Sequence, residues 1–184
     1  MSARDELLDR AVTWFAEHGI GDTSMRTLAA ALGTSGRMLH YHFGSREGLL
    51  AAVVERVERA EQAVLASYLA ESDDPFEAGM RFWPHVAETA QTFAPLFFEL
   101  AAHAMRDREY ARPLRRWLAT GWVDDVGRAL AATGMNENIA RARARLAVAA
   151  TRGLLLELGA TGDRAAADAA IQEFAEMMRR GALT

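Results

Sequence analysis

The sequence predicts an all-α protein, and three observations support this fold class. Apolar residues recur at helical spacing, whereas β-branched runs and Asn-Gly or Asp-Gly hairpin turns are missing. Proline is scarce, with four residues among 184. Hydrophobic residues make up 51% of the chain, enough for one sizeable core or for a small module joined to a larger helical body. We expect about nine helices in total.

A first helix is predicted upstream of Gly19. Glycine suits the position just after a helix, because it adopts left-handed backbone angles at little cost. The apolar positions that recur at helical spacing before it are Leu7, Leu8, Ala11, Val12 and Phe15. This helix is expected to support the two that follow.

Two short helices joined by a sharp turn are predicted next, over residues 23–44. Thr23 or Ser24 can cap the first helix and Ser35 the second, since their hydroxyls accept from unpaired backbone N–H groups. Gly33 between them can adopt the positive φ that the turn demands.

The packing residues of this pair agree with a helix-turn-helix DNA-binding motif. Ala29 is small where the helices must approach closely, and Leu39 and Phe43 lie on the buried side of the second helix. In this motif the second helix enters the major groove of DNA. The sequence therefore predicts a three-helix DNA-binding unit at the N-terminus.

The second helix of the pair carries the residues expected to face base edges. Its N-terminal half lies in the groove, which directs Gly36, Arg37 and Tyr41 toward the DNA. Arg37 is the predicted base reader, because a bidentate pair with guanine gives ~1–3 kcal/mol of discrimination. Gly36 lets the backbone come close to the DNA. The structural alternative for Arg37 is a solvated surface arginine.

Other residues of the motif can contact phosphates, which fixes the register on DNA without reading sequence. The candidates for such contacts are Thr23, Ser24, Thr27, Thr34, Ser35, His40, Tyr41, His42 and Arg46. For Ser35 and Ser45, helix capping is the structural alternative, and it is compatible with a phosphate contact.

The net charge of −4 does not exclude DNA binding. Contact with phosphates depends on the local potential within about one Debye length, ~8 Å at physiological salt. Arg26, Arg37 and Arg46 lie in or beside the predicted motif, and all 21 cationic side chains are arginines, since the chain contains no lysine. The guanidinium fork suits both phosphate and guanine.

The segment over residues 38–49, Met-Leu-His-Tyr-His-Phe-Gly-Ser-Arg-Glu-Gly-Leu, resembles the signature of TetR-family transcriptional regulators. The resemblance covers roughly the first quarter of the chain. Three places differ from the usual family pattern. His40 replaces a tyrosine, Arg46 replaces a lysine, and Gly36-Arg37 replaces a long polar residue followed by a small one. These differences concern which DNA sequence is bound.

The resemblance also implies partners and further roles. Arg26 matches a position that often reaches the DNA in this family, and we favour a phosphate contact. Members generally carry an effector site in the helical body and form a dimer through their two C-terminal helices. The implied partners are double-stranded operator DNA, a second copy of the chain and a small effector. No cofactor is expected.

A long helix is predicted after Ser45, which can cap it, and it is expected to reach about Leu69. Its apolar stripe consists of Leu49, Leu50, Val53, Val54 and Val57. The clearest break follows at residues 71–75, where a proline suits the first turn of a new helix. We predict a DNA-binding domain at residues 1–45 and an effector-binding and dimerisation domain at residues 46–184.

Residues 76–135 concentrate aromatic and methionine side chains, which have two interpretations. Large residues at helical spacing fill a core, but rings around a few polar groups can also line an apolar effector pocket. Pro84 and Pro95 are expected to kink or end helices and so to leave a cavity. The candidate ligand-binding residues are Phe82, Trp83, His85, Phe93, Phe97, Phe98, His103, Trp117 and Trp122. Such a pocket favours a small, partly apolar effector.

The last third of the chain predicts two helices, over residues 136–159 and 163–180, separated by Gly-Ala-Thr-Gly. Both mix small and large apolar positions, as close helix packing requires. The candidate dimer-interface residues are Leu146, Ala150, Gly153, Leu154, Ala166, Ala170, Phe174 and Met177. The alternative is that both helices complete the core of one monomer. We prefer the dimer, because two recognition helices ~34–36 Å apart can read a palindrome.

Together these features predict a dimeric repressor that a small-molecule effector releases from a palindromic operator. An effector bound in the helical body would shift the helix after Ser45, so that the two recognition helices no longer match the operator. Two alternatives remain: a constitutive DNA binder whose body is only a dimerisation core, and a helical enzyme or carrier with a vestigial reader.

An enzyme is disfavoured, because the chain lacks paired Glu-x-x-His motifs, a nucleophile elbow, a phosphate loop and His-Glu-x-x-His. The absence of cysteine removes disulfides and thiolate metal sites and suits a reducing compartment. His40 and His42 lack a nearby third metal ligand. No apolar segment is long enough to cross a bilayer. We expect a cytoplasmic protein without a metal or a membrane partner.

Overall fold

The computed structural model describes residues 2–19 and 23–180, except for the side chains of residues 110, 113 and 116. These residues form eight α-helices and one short 3-10 helix, and no strand is found among them. The helices are α1 (Ala3–His18), α2 (Met25–Ala31), α3 (Gly36–Phe43), α4 (Arg46–Ala70), α5 (Pro75–Met105), the 3-10 helix (Glu109–Ala111), α6 (Arg112–Ala132), α7 (Glu137–Thr161) and α8 (Arg164–Arg180). No helix of the described ranges is both long and apolar enough to span a bilayer.

Helix boundaries near the N-terminus follow the predicted caps. Ser24 Oγ accepts a hydrogen bond from the N–H of Thr27, and Ser35 Oγ accepts one from that of Met38, each at 3.2 Å. These bonds satisfy donors at the starts of α2 and α3. Gly33 has a φ of 63°, as the turn between the two helices requires. These expectations are confirmed.

Two other helix boundaries differ from the expectation. Pro84 and Pro95 do not end helices, since α5 runs through both. A proline inside a helix costs about 3 kcal/mol, and burial of apolar residues on both sides of each proline offsets this cost, as at Ala87 and Leu96. The loop between α7 and α8 begins later in the sequence than predicted. Helix α7 continues to Thr161 and ends at a glycine with a φ of 73°.

The first of two compact units comprises residues 1–60 and 95–115. Side chains from α1, α2, α3 and the start of α4 are buried in it, among them Leu8, Ala11, Phe15, Leu28, Leu39, Leu49 and Val53. Asp9 of α1 and Arg56 of α4 form an ion pair, with 2.8 Å between Oδ1 and Nη2. This packing fixes the orientation of α3 within the unit. The domain boundary after residue 45 stays a prediction.

The second compact unit comprises residues 61–94 and 116–184 and contains two apolar clusters. Helices α5, α7 and α8 contribute Trp83, Ala87, Leu158, Ala167 and Ile171 to one of them. Helices α6 and α7 contribute Val123, Leu130, Ala140 and Ala144 to the other. Helix α7 therefore takes part in both clusters, and α8 packs against it.

Candidate functional site

Helix α3 presents a polar face and an apolar face. Leu39 is fully buried and Phe43 is 9% exposed, which holds the helix against its unit and confirms that both are core residues. The opposite face carries Arg37 and Tyr41, both exposed, with Tyr41 at 78%. Because four residues separate them, these two side chains are neighbours on one face of the helix. Gly36 lies half-buried at the first position of α3.

The arginines of the predicted DNA-binding motif differ in their surroundings. Arg26 on α2 and Arg37 on α3 are exposed, and neither guanidinium pairs with an acidic side chain within the described residues. Both charges can therefore face phosphate or base edges. Arg46 instead is half-buried, and its Nε donates to the carbonyl oxygen of Thr23 at 2.9 Å. This contact ties the start of α4 to the segment before α2, a role that the sequence did not reveal.

The two histidines of α3 also have partners close in sequence. His40 Nδ1 lies 2.8 Å from the carbonyl oxygen of Gly44, to which it must donate. Its Nε2 can therefore donate to a phosphate only when the ring is protonated. The ring of His42 stands edge-on to Tyr41, with 5.0 Å between centroids, and lies 6.2 Å from Phe43. His42 thus packs between the exposed and buried faces of α3.

The remaining polar residues of the motif serve local structure. Thr27 Oγ1 lies 2.9 Å from Ser24 Oγ at the start of α2. The backbone N–H of Thr34 donates to the carbonyl oxygen of Ala29 at 2.9 Å, within the turn. Ser35 caps α3 as described. The hydroxyls of Thr27 and Ser35 are on exposed residues, so that capping and a phosphate contact are compatible there.

The predicted ligand-binding residues divide between the two compact units. Phe97, Phe98 and His103 belong to the first unit, where the two phenyl rings meet edge to face at 5.1 Å. The others belong to the second unit, in which Phe93 is half-buried on α5.

Trp83 fills the core of the second unit. It is 4% exposed and packs among residues of α5, α7 and α8. Its Nε1 donates to Oδ1 of Asp168 on α8 at 2.5 Å. Arg164 Nε donates to the same oxygen at 2.7 Å. Trp83 therefore joins α5 to α8.

Five rings of the second unit lie close together, and we call them the aromatic cluster: Tyr68, Phe82, His85, Trp117 and Trp122. Centroid distances from the Phe82 ring are 5.8 Å to Trp122, 5.9 Å to His85 and 6.2 Å to Tyr68. Trp117 and Trp122 meet edge to face at 6.0 Å. This arrangement brings together four of the predicted ligand-binding residues, and Tyr68 is an addition.

Gly121 on α6 makes room for one ring of the aromatic cluster. A Cβ at this position would lie 2.7 Å from Nε1 of Trp117. The same Nε1 donates to Oε1 of Gln62 at 3.3 Å, and Gln62 Nε2 donates to Oδ2 of Asp125 at 3.2 Å. The Nε1 edge of the indole thus lies close to Gly121 and is hydrogen-bonded to Gln62.

Glu61 is the main acidic residue beside the aromatic cluster, and the sequence analysis did not predict it as a site residue. Its side chain is 12% exposed, and His85 Nε2 lies 3.3 Å from Oε1 and 3.2 Å from Oε2. Burial raises the pKa of the Glu61 carboxyl above its ordinary value. One sequence signal marks the position. Glu61 lies four residues after Val57 and four before Leu65, so a carboxylate interrupts the apolar stripe of α4.

The predicted interface residues on α7 and α8 fall into two groups. Leu146 is 61% and Met177 60% exposed, and Gly153, Ala166 and Ala170 are also exposed. A second group is only partly exposed and consists of Ala150, Leu154 and Phe174. Within it, Leu154 and Phe174 pack against the core around Trp83. Leu156, 52% exposed on α7, is an apolar surface residue outside the predicted set.

Comparison with known proteins connects this geometry to a family. Residues 7–53 match the model of the bacterial regulatory proteins of the tetR family. The chain is 29% identical to the HTH-type transcriptional regulatory protein RaaS of Mycobacterium tuberculosis over 186 aligned positions, covering 97% of this chain and 82% of RaaS. It is 45% identical to the HTH-type transcriptional repressor KstR2 of Rhodococcus jostii over 47 residues, which cover 26% of this chain and 23% of KstR2.

The fold is also similar to that of solved structures. The SmeT–triclosan complex matches with a TM-score of 0.73 at 18% identity, covering 97% of this chain and 90% of SmeT. SmeT is the repressor of the Stenotrophomonas maltophilia multidrug efflux pump SmeDEF. At this identity the likeness concerns the fold alone. The two sequence relatives are regulators rather than enzymes.

Proposed function

We propose that this chain, which belongs to the TetR family of bacterial regulatory proteins, acts in the cytoplasm as a homodimeric repressor of transcription. In this proposal a small, partly apolar effector releases the dimer from a palindromic operator. The observation that carries it is the exposed pair of Arg37 and Tyr41 on one face of α3. An arginine and an aromatic hydroxyl at this position suit guanine edges and phosphates.

DNA reading is assigned to α3 and phosphate contacts to its surroundings. Arg37 would read a base, and Arg26 would contact a phosphate, since both guanidinium groups are exposed and lack an acidic partner among the described residues. His40 Nε2 is a further phosphate donor when the ring is protonated. KstR2, which is 45% identical to this chain over 47 residues, is named as a transcriptional repressor.

Dimer formation is assigned to α7 and α8. Leu146, Gly153 and Leu156 lie on exposed positions of α7 at spacings of seven and three residues, which form one stripe. Ala166, Ala170 and Met177 form a similar stripe on α8. Two adjacent helices with unpartnered apolar stripes favour a four-helix contact with a second copy.

Effector binding is assigned to the aromatic cluster of the second unit. Rings around a few polar groups are typical of small-molecule sites, and the related fold of SmeT is known in complex with triclosan. Helix α4 begins at Arg46, shortly after the recognition helix α3, and it includes Glu61. It is therefore one continuous element through which a bound effector can act on the DNA-binding motif. A coupling free energy of ~1–3 kcal/mol is typical of such regulation.

The test starts from DNA of unknown sequence. Purified protein selects duplexes from a random library, and the enriched sequence is labelled for fluorescence anisotropy at a fixed salt concentration. We expect an inverted repeat whose half-site centres are about one helical turn apart, or a multiple of it. Arg37→Ala and Tyr41→Ala are each expected to weaken binding to this site at least about tenfold, because a base or phosphate contact is lost.

The matched control is Arg59→Ala, which removes an exposed arginine of the same unit outside the reader, with a side-chain exposure of 72%. Its affinity should equal that of the parent protein. Enrichment of a single half-site would overturn the proposed dimer. If the Arg37 and Tyr41 variants bound the selected DNA as tightly as the parent protein, the assignment of DNA reading to α3 would be wrong. An effector screen with the selected DNA then separates the ligand-responsive regulator from a constitutive binder.

A further inference from the structure

Glu61 has the least exposed side chain among the acidic residues that form ion pairs in the described ranges. Its Oε2 is buried and accepts no hydrogen bond of good geometry from any described residue. Thr89 on α5 and His85 provide hydrogen bonds to the carboxyl group, which do not outweigh the effect of burial on its pKa. A buried carboxylate of this kind lowers stability unless a positive group meets it.

No arginine meets the Glu61 carboxylate within the described part of the chain, although 21 are present in the sequence. Two other acidic residues do pair with arginines. Asp9 pairs with Arg56, and Asp168 pairs with Arg164. The ion-pair partner of Glu61 is His85, which is charged only when protonated. In its ionised form the Glu61 carboxylate therefore lacks a permanently charged partner among the described residues.

The rings near Glu61 also favour a positively charged ligand. The face of an aromatic ring is negative, and a cation within about 6 Å of its centroid is attracted. Two rings of the aromatic cluster already face arginines of the protein, since Arg81 Cζ lies 5.3 Å from Tyr68 and Arg152 Cζ 5.4 Å from Trp117, so these two rings are not available to a ligand cation. The Phe82 ring lies next to His85, whose side chain is 40% exposed and so marks the solvent side of the group.

We propose that Glu61, together with Phe82 and His85, binds the positive group of a lipophilic organic cation. The carboxylate pairs with the charge, and the rings contact the apolar body of the ligand. The inference rests on the proposed function for the role of this cation as the effector, but the binding site itself does not depend on it. Organic anions of the same size are disfavoured by the charge of Glu61.

The test uses aryl probes of similar size and different charge. Tetraphenylphosphonium is the cation, tetraphenylborate the anion and triphenylphosphine oxide a neutral relative. Binding to the full chain is followed by calorimetry and by quenching of tryptophan fluorescence. We expect saturable binding of the cation, at least tenfold tighter than that of either other probe. These measurements use the unsubstituted protein. If it preferred the anion or the neutral probe, or did not bind the cation, the proposal would be wrong.

Glu61→Gln removes the charge and keeps the size of the side chain. We expect it to weaken cation binding at least tenfold and to abolish the preference over the anion. Glu88→Gln, an exposed glutamate of α5, is the matched control and should bind like the parent. Equal cation affinity in the parent and in Glu61→Gln would contradict the site. Circular dichroism confirms folding, and the charge preference of the parent protein tests the proposal if the variant does not fold.

The DNA assay separates this proposal from the proposed function. The cation is expected to weaken binding of the parent protein to its selected DNA, but not that of Glu61→Gln. If the cation binds at Glu61 and the DNA affinity stays constant, the site stands and the effector role is wrong. If other small molecules release the DNA while the cation does not bind, the regulator stands and the cation site is wrong.

Discussion

Gly48, in the first turn of α4, has no room for a side chain. A Cβ there would lie 2.2 Å from the carbonyl oxygen of Phe43, the last residue of α3. Its backbone N–H also donates to Oγ of Ser45 at 3.0 Å, which caps the helix. Because the obstructing atom belongs to the backbone, an added methyl group must displace either the end of α3 or the start of α4. Close packing here therefore limits position 48 to glycine.

We expect Gly48→Ala to lower the free energy of unfolding by about 1–3 kcal/mol, the usual cost of overpacking. The measurement is urea denaturation followed by circular dichroism. Gly79→Ala is the matched control, because a Cβ at this helical position of α5 meets nothing within 4 Å. It should gain about 0.5–1 kcal/mol from the better helix propensity of alanine. Equal effects of the two substitutions would show that the contact with Phe43 is not limiting.

At the scale of the element, the carboxylate of Asp168 adds a polar contact to the apolar packing of α8 against α5. Asp168 accepts from Arg164 and from the nearly buried Trp83, and these hydrogen bonds, in that order, hold the pKa of Asp168 below its ordinary value. A carboxyl whose pKa is lowered by folding stabilises the fold above its unfolded pKa of about 3.9. This contribution is lost as the pH falls through the lower pKa of the folded state.

We expect Asp168→Ala to lower the free energy of unfolding by about 1–3 kcal/mol at pH 7, because the Trp83 N–H loses its acceptor. The difference from the parent should shrink as the pH falls below about 4. Urea titrations at several pH values, followed by tryptophan fluorescence, measure both effects. Glu176→Ala is the control on the same helix, since it breaks only an exposed pair with Arg180. It should cost about 0.3–0.5 kcal/mol, and a similar loss in both variants would contradict the assignment.

Elements could be predicted from the sequence where the information is local. Caps such as Ser35 and the turn at Gly33 depend on residues within a few positions, and the structure confirms them. The path of α5 through Pro84 and Pro95 could not be predicted, because burial against distant segments decides it. The local sequence predicts that a proline inside a helix costs free energy, but it does not show which packing contacts offset that cost.

The candidate sites show the same division. Phe82 and Trp83 are adjacent in sequence and equally aromatic, yet one contacts Trp122 and the other Asp168. Their partners lie 40 and 85 residues away, so spacing alone could not separate a cluster residue from a core residue. Glu61 was missed although it interrupts an apolar stripe, because a charged residue in a long helix usually faces solvent.

At the scale of the whole molecule, the proposed dimer depends on the exposed apolar residues of α7. We expect Leu146→Glu to convert the proposed dimer to a monomer, since it places a charge in a contact that excludes water. Light scattering coupled to size exclusion measures the mass, and anisotropy should show weaker binding to a palindromic site. Ile139, 50% exposed on the same helix but outside the predicted interface, provides the control Ile139→Glu.

The control variant should remain dimeric and bind DNA as the parent does. A dimer that survives Leu146→Glu would exclude this face, whereas loss of the dimer in both variants would place the interface nearer the start of α7. Both residues are exposed, so neither substitution removes a large part of the core. The comparison therefore reports on assembly rather than on folding.

The two internal prolines of α5 also divide the helix with respect to hydrogen exchange. Neither proline has an amide hydrogen, so the carbonyl groups of Met80 and Gln91, four residues earlier, lack their helical donors. The hydrogen-bonded amides of this 31-residue helix therefore form three stretches, over residues 78–83, 85–94 and 96–105. Fraying of one stretch does not need to break the bonds of the next. A long helix can in this way exchange its protons segment by segment, with a separate opening free energy for each.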